Sequence, residues 1–423
     1  PHLISACIMP NMTSAPRASR MHFSRRIPVW CACGVLALLA ACASTTKTNV
    51  AGNNRQQLLL VSAESVNQKS IQYYQQQNAE ARKKGELITS GAEYQRVYTI
   101  MQRMVPHVGV FRDDAMRWAD EVAERRGLDV QWTRQAVGQA VFLRQVPRLM
   151  LPPARGTAKN WRIYRSRFID ATRIGAGVRF WQRNRDTLAR AQAEYGVPPE
   201  IIVGIIGVET IYGQNMGSFR VIDALATLTF DFPPEHPRAA ERQAYFNGEL
   251  EQFLSLCART DMAPTQPLGS YAGAMGMPQF MPSSWVKYAV DFDGDGQIDL
   301  WQSEADAIGS VANYFKGYGW QPGMPTHYPV RLAPEADMST LLAPDILPSF
   351  TPQRFMDLGA VLGADAQANA GPLALIELQN GGAEPSYVAG TQNFYVITRY
   401  NWSSYYAMAV IELGQAVAMA MGR

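Results

Sequence analysis

The chain reads as an α+β protein, mainly α, with a small β-containing insertion, and three observations carry that reading. Apolar residues recur at helical spacing from Asp113 to about residue 320. Between about 321 and 390, Pro, Gly and β-branched residues take over (H-Y-P-V-R-L, A-L-I-E-L), the composition of a few short strands. A small-residue apolar run at 402–421 then returns to helical spacing.

With 423 residues, 47% hydrophobic and 10% aromatic, the chain is globular and long enough for two or three domains. A net charge of +3, with no dense Lys/Arg block after residue 30, excludes a nucleic-acid partner as the leading reading.

Taken in order, residues 1–42 read as an upstream segment and a secretory signal. Arg25 and Arg26 precede an apolar run that ends in L-A-A-C at Cys42, too short and wrongly flanked for a membrane span. The ending resembles a lipobox, which implies acylation of Cys42 and, with Ser at position 44, the outer membrane. Cys7, Cys31 and Cys33 leave with the signal, so Cys257 stands alone on an apolar stripe as a core residue.

Residues 43–56 are a small, polar tether, and 57–112 a Gln-rich helical pattern. This piece resembles the segment preceding the core of membrane-associated zinc metallopeptidases. No pair among His2, His22, His107, His236 and His327 has the H-E-x-x-H spacing such a protease requires.

From Asp113 the pattern predicts helices at 113–127 and 132–140, then one continuous helix over 172–196 closed by Gly196. Further helices are expected at 241–259 and 304–316.

Within the apolar stretch I-I-V-G-I-I-G-V-E-T-I-Y-G, Pro198 and Pro199 suit a first helical turn and Gly213 a terminator. Ile202, Ile205, Ile206, Glu209 and Tyr212 then share one stripe, which points Glu209 toward the interior or the lip of a cleft. A desolvated carboxyl keeps its proton near neutral pH, as a general acid on a glycosidic oxygen must. The plainer alternative is a buried Glu paired with a distant Arg.

A second stretch, D-F-D-G-D-G-Q-I-D-L-W-Q, sets Asp291, Asp293 and Asp295 at alternate positions with Gly296 at the sixth, an EF-hand-like pattern for Ca²⁺. Gln297 would lend its backbone carbonyl. Gln302 stands where the bidentate Glu belongs, and Asp306 offers a replacement carboxylate. A third stretch, G-S-Y-A-G-A-M-G-M-P-Q-F-M-P-S-S-W, pairs small residues that allow close approach with Ser270 and Gln279 as hydrogen-bonding groups.

These motifs, with D-A-L-A-T-L-T-F, A-I-G-S-V-A-N-Y-F and N-F-Y-V-I-T-R-Y-N, resemble the membrane-bound lytic murein transglycosylase B family over residues 113–423. The resemblance implies a lysozyme-like catalytic core at about 160–320 that cuts the MurNAc–GlcNAc β-1,4 bond of peptidoglycan and leaves a 1,6-anhydro end. It implies Glu209 as the single acid/base and Ser270 as the hydroxyl that orients it. Tyr164, Tyr212, Gln279, Tyr314, Arg399 and Tyr400 would line the glycan groove. Asp291, Asp293, Asp295, Gln297 and Asp306 would hold calcium.

The implied partners are peptidoglycan strands, the membrane through a lipid anchor, and cell-wall synthesis or division proteins. Where the family often carries an adjacent Arg pair, this chain has D-F-P-P-E-H-P-R-A-A-E-R-Q, leaving Arg238 and Arg242 to grip the acidic stem peptide. Two rivals stay open: a lysozyme-like hydrolase using water, and a non-catalytic glycan-binding lipoprotein.

Overall fold

The computed structural model describes Tyr73 and residues 76–85, 90–104, 113–152 and 159–422. The signal-like run and Cys42 lie outside them. The chain divides into two compact units, one ending at Tyr98 and one starting at Thr99. Helical segments occupy 76–84 and Ala92–Met104.

The second unit is mainly helical. It opens with α1 (Asp113–Arg126), α2 (Val130–Gly138), α3 (Gln145–Leu149) and α4 (Trp161–Ser166). Asp129 and Asn160 cap α2 and α4 by accepting backbone N–H groups from Trp132 and Ile163.

The helix expected over 172–196 is two helices, α5 (Ala171–Arg183) and α6 (Arg185–Tyr195). The break falls at Asn184, whose side-chain amide donates to the Phe180 carbonyl at 2.9 Å and to the Glu304 carboxylate. That local bond competes with the helical ladder, as Asn side chains do. Gly196, in the left-handed region at φ 72°, closes α6.

Helix α7 (Pro199–Thr210) begins where the proline pair predicts. It ends before Gly213, because Ile211 and Tyr212 themselves turn left-handed, at φ 53° and 57°. Thr210 holds the turn: its Oγ1 accepts the Gly213 N–H at 3.0 Å and donates to the Met277 carbonyl at 2.9 Å.

β1 (Phe219–Arg220) leads into α8 (Val221–Phe230) and α9 (Ala239–Thr260), where Cys257 is buried as a core residue. β1 pairs antiparallel with β2 (Leu268–Gly269), just ahead of Ser270. Then come α10 (Pro282–Tyr288) and α11 (Glu304–Gly317), which flank the Asp-rich loop.

The strands expected after residue 321 form a four-stranded antiparallel sheet in the order β4-β3-β6-β5. They are β3 (His327–Leu332), β4 (Ala360–Leu362), β5 (Ala374–Asn380) and β6 (Ala383–Gly390). The short helices α12 (Met338–Leu342), α13 (Pro352–Asp357) and α14 (Ala364–Gln367) accompany them. Leu341, Phe355, Leu373 and Leu375 form a separate small core there. α15 (Gln392–Thr398) and α16 (Ser404–Ala420) return the chain to the main core.

α7 is apolar all round and buried along nearly its whole length, the pattern of a central helix. Its closest partner is α16. A Cβ placed on Gly204 would collide with the Val410 carbonyl, and one on Gly414 with the Glu200 carbonyl. The two backbones therefore touch, and only glycine permits it at those two points.

Gly414→Ala is expected to cost about 1–3 kcal/mol through overpacking. Gly248→Ala, where an added Cβ meets nothing within 4 Å in helix α9, should instead stabilise by about 0.5–1 kcal/mol. Urea unfolding of both variants measures the contrast, and equal effects would refute the backbone contact.

Candidate active site

Glu209 occupies the last turn of α7, between the buried Val208 and Thr210, and is itself partly accessible. Its partner is the Tyr406 hydroxyl, which donates to Oε1 from the first turn of α16. Among the described residues no arginine pairs with it, so the reading of a buried Glu–Arg pair finds no partner there. Burial raises the carboxyl pKa from 4.5 to about 7, and the Tyr406 bond, which favours the ionised form, opposes that rise. No second carboxylate among the described residues contributes to the shift.

Tyrosine rings enclose this carboxyl. Tyr406 and Tyr400 lie nearly parallel, 6.5 Å apart, and Tyr314 follows at 4.7 Å from Tyr400. Burial, reinforced by the Glu209 charge, holds the Tyr400 and Tyr406 hydroxyls far above pKa 10, so both are neutral donors. The Tyr164 hydroxyl is also raised by burial and by the Glu209 charge, which places it at the same site from α4.

Two hydroxyls are fixed by backbone carbonyls: Tyr314 donates to Arg399 and Tyr400 to Pro278, each at 2.8 Å. The rings are therefore oriented before any ligand arrives. Tyr406 was missed in the sequence because its partner lies 197 residues away. The one available signal is the Tyr405–Tyr406 pair, bulky side chains at the head of a helix of small residues.

The structure thus places Tyr164 and Tyr400 near Glu209, with Tyr314 one ring further along against Tyr400. Gln279 lies beside them on the segment anchored by Tyr400. It adopts φ 51°, and its amide donates to the carbonyls of Met216 and Gly276 at 3.1 and 2.9 Å. Gln279 thereby braces the loop, with its amide oxygen as the remaining acceptor.

Ser270 Oγ accepts the Ala272 and Ala274 N–H groups at 3.2 and 3.0 Å. It shapes the turn from Ser270 to Ala274, while the hydrogen bond that holds Glu209 comes from Tyr406.

Tyr212 packs in the main core. It is 8% exposed and fits against Gly177 and Gly207, with its ring 5.1 Å from Phe180. The left-handed turn after Thr210 rotates it out of the stripe it would occupy on a continuing helix, so it fills core space beside Phe180.

Arg238 is exposed and bound to Glu241, and Arg242 lies over Tyr245 and Phe246 at 5.3 and 5.2 Å. Neither shares a contact with the Glu209 cluster among the described residues. Arg399 lies among Tyr318, Tyr395 and Trp402, at 5.6, 5.7 and 5.2 Å from the ring centres.

In the Asp-rich loop, Asp291, Asp293 and Asp306 bring carboxylate oxygens within 4.8 Å of one another. Asp306, buried near the start of α11, ties the loop ends by accepting the Phe292 and Asp299 N–H groups at 2.7 and 2.8 Å. Gly294 and Gly296 take the left-handed turns the loop requires, at φ 80° and 90°. Asp295 stands outside the trio, and its Oδ1 accepts the Gln297 N–H at 2.8 Å. Three clustered hard oxygen donors suit a divalent cation such as Ca²⁺.

Residues 111–415 match the family described as the transglycosylase SLT domain. The chain is 43% identical over 318 residues to membrane-bound lytic murein transglycosylase B of Escherichia coli, covering 73% of this chain and 83% of that protein. Among solved structures it resembles the Escherichia coli lytic transglycosylase Slt35 in complex with calcium. The identity is 42% and the TM-score 0.63, with 73% of this chain and 94% of that one covered. It also resembles Pseudomonas aeruginosa SltB3 in complex with NAG-NAM-pentapeptide. The identity there is 29% and the TM-score 0.59, with 72% and 79% covered. The chain belongs to the membrane-bound lytic murein transglycosylase B family.

Proposed function

We propose that this lytic murein transglycosylase cuts peptidoglycan between MurNAc and GlcNAc with Glu209 as its single acid/base. The observation that carries this reading is a carboxyl with pKa about 7, set by burial and one tyrosine hydroxyl, with no second carboxylate among the described residues contributing to it. Two-carboxylate glycosidases need a nucleophile or base next to the acid. Here the protonated Glu209 gives its proton to the leaving glycosidic oxygen as the C1–O bond breaks. Its carboxylate then takes the proton of the muramyl 6-hydroxyl as O6 bonds to C1. The product is a 1,6-anhydro end, formed without water.

Tyr406 donates to the carboxylate form and so eases the first proton transfer. Tyr164 and Tyr400, both half-buried, present ring faces suited to pyranose rings, with Tyr314 packed in the core against Tyr400. Ser270, which the family resemblance makes the hydroxyl that orients Glu209, accepts two backbone N–H groups through Oγ and so keeps its own proton for donation.

Glu209→Gln keeps the shape and removes the transferable proton, so release of anhydro-muropeptides should fall about a hundredfold or more. Products lighter by one water than hydrolysed ends support ring closure. Hydrated ends alone would transfer the enzyme to the lysozyme-like reading, and normal turnover by the variant would remove Glu209 from the mechanism.

Calcium is the ion for the Asp loop in this proposal, held by Asp291, Asp293 and Asp306, with Asp295 and the Gln297 carbonyl as further oxygen donors. When bound, it would neutralise the clustered carboxylates and clip the start of α11 to the loop. At a hundred times its dissociation constant, Ca²⁺ should stabilise the fold by about 2.7 kcal/mol. Chelator-stripped protein should melt higher on adding Ca²⁺, and Asp293→Asn should abolish most of the rise. An unchanged melting temperature would contradict a calcium site.

The proposed location is the periplasmic face of the outer membrane, anchored by an acylated Cys42. The L-A-A-C run after Arg25 and Arg26 supports it, as does the similarity to a membrane-bound transglycosylase of Escherichia coli. No helix among the described residues is long and apolar enough to cross a membrane.

A further inference from the structure

We propose that the cavity between α2 and the end of α9 docks a basic segment of a partner protein, which presents an arginine or lysine side chain to Asp129 and Asp261. The cavity shares no lining residue with the Glu209 cluster.

Its volume is about 660 Å³, within the range of ligand-binding clefts. Trp132 and Gln135, neighbours at helical spacing on α2, form one wall. The loop that leaves α9 forms the other, with Met262 and Pro264, and Leu128 closes the apolar part between α1 and α2. Trp132, Leu128, Met262 and Pro264 are each only partly buried, so apolar surface stays open to an occupant.

The charge around this surface is one-sided. Asp129 Oδ1 accepts the Trp132 N–H at 2.7 Å, which leaves its second oxygen free. Asp261 is exposed and its carboxylate has no partner among the described residues. It stands at φ 54° as the C-cap of α9, a helix of 22 residues. A helix end favours glycine in that conformation, and a cation beside its negative pole. An acid there works against the fold on its own. The Asp261 and Met262 N–H groups both go to the Cys257 carbonyl, so the carbonyls of Ala258, Arg259 and Thr260 have no donor among the described residues.

Neighbouring cations do not neutralise this end. Arg125 and Arg126 are bound to Glu251, and Arg134 to Asp120. Arg259 is in the last turn of α9 but does not line the cavity. A positive occupant is therefore the complementary one. The Trp132 ring offers its face to a guanidinium or ammonium group. The Gln135 amide, without a partner among the described residues, supplies both a donor and an acceptor, which suits a peptide backbone. A bare ion would leave the apolar walls unused.

The test measures anisotropy of a dye-tagged, capped peptide, Ala-Ala-Arg-Pro-Ala-Ala, titrated with the full chain. Binding is expected to saturate, and to be about tenfold weaker when the peptide's Arg is replaced by Gln, the worth of one charge-assisted bond. Asp261→Asn should remove that preference, while Trp132→Ala should weaken the Arg peptide about fivefold. Glu335→Gln, an exposed acid elsewhere, should change nothing. Relief of the charge at the helix end should also raise the Tm of Asp261→Asn by about 1–3 °C, which separates lost binding from lost folding. Equal affinity for the two peptides, or an Arg preference kept in Asp261→Asn, overturns the proposal. A lowered Tm in that variant would make Asp261 a structural cap and remove the charge argument. Argininamide that displaces the peptide at equal concentration would make this a small-cation site and overturn the docking assignment.

Discussion

The close crossing of α7 and α16 is the constraint on which the site depends. Gly204 and Gly414 let the two backbones meet, and the contact carries Tyr406 at the head of α16 onto Glu209 at the tail of α7. Wider separation would admit water around the carboxyl and return its pKa toward 4.5. Tight packing without Tyr406 would leave a buried acid with no donor for its ionised form. The raised pKa of Glu209 therefore reflects desolvation opposed by a single hydroxyl, both set by one helix crossing.

The fold bears a cost for this arrangement. An acid whose folded pKa is raised contributes stability that is complete below about pH 4.5 and is lost as pH rises through about 7. Near neutral pH most of that contribution has therefore already been lost. The surrounding structure absorbs this through rigid, fully paired groups. Thr210 pins the end of α7, and the Tyr314 and Tyr400 hydroxyls are spent on backbone carbonyls. Such pre-orientation is what lets a site avoid reorganisation during reaction.

Much of this was legible in the sequence, for local reasons. The proline pair and apolar run fix α7 and place Glu209 on it, and alternate Asp residues with Gly296 mark the loop. The helices at 239–260 and 304–317 follow from periodicity to within two residues of the expected bounds. Long-range and side-chain events were not legible. Asn184 breaks a helix because Glu304, far along the chain, meets its amide. Tyr212 leaves its stripe because Ile211 and Tyr212 turn left-handed. Asp295 misses the carboxylate trio because it caps its own turn, and Tyr406 reaches Glu209 only through the tertiary crossing. The family resemblance named the groove, but the partner that tunes the acid had to be seen in three dimensions.

The central claim is that Glu209 still carries its proton near neutral pH, and it is tested most directly by titrating that carboxyl. The protonated C=O band in infrared difference spectra between wild-type protein and Glu209→Gln isolates it. The account predicts a midpoint near pH 7, displaced upward in Tyr406→Phe because the bond that favours the ionised form is lost. A midpoint near 4.5, or a downward displacement in Tyr406→Phe, would contradict it.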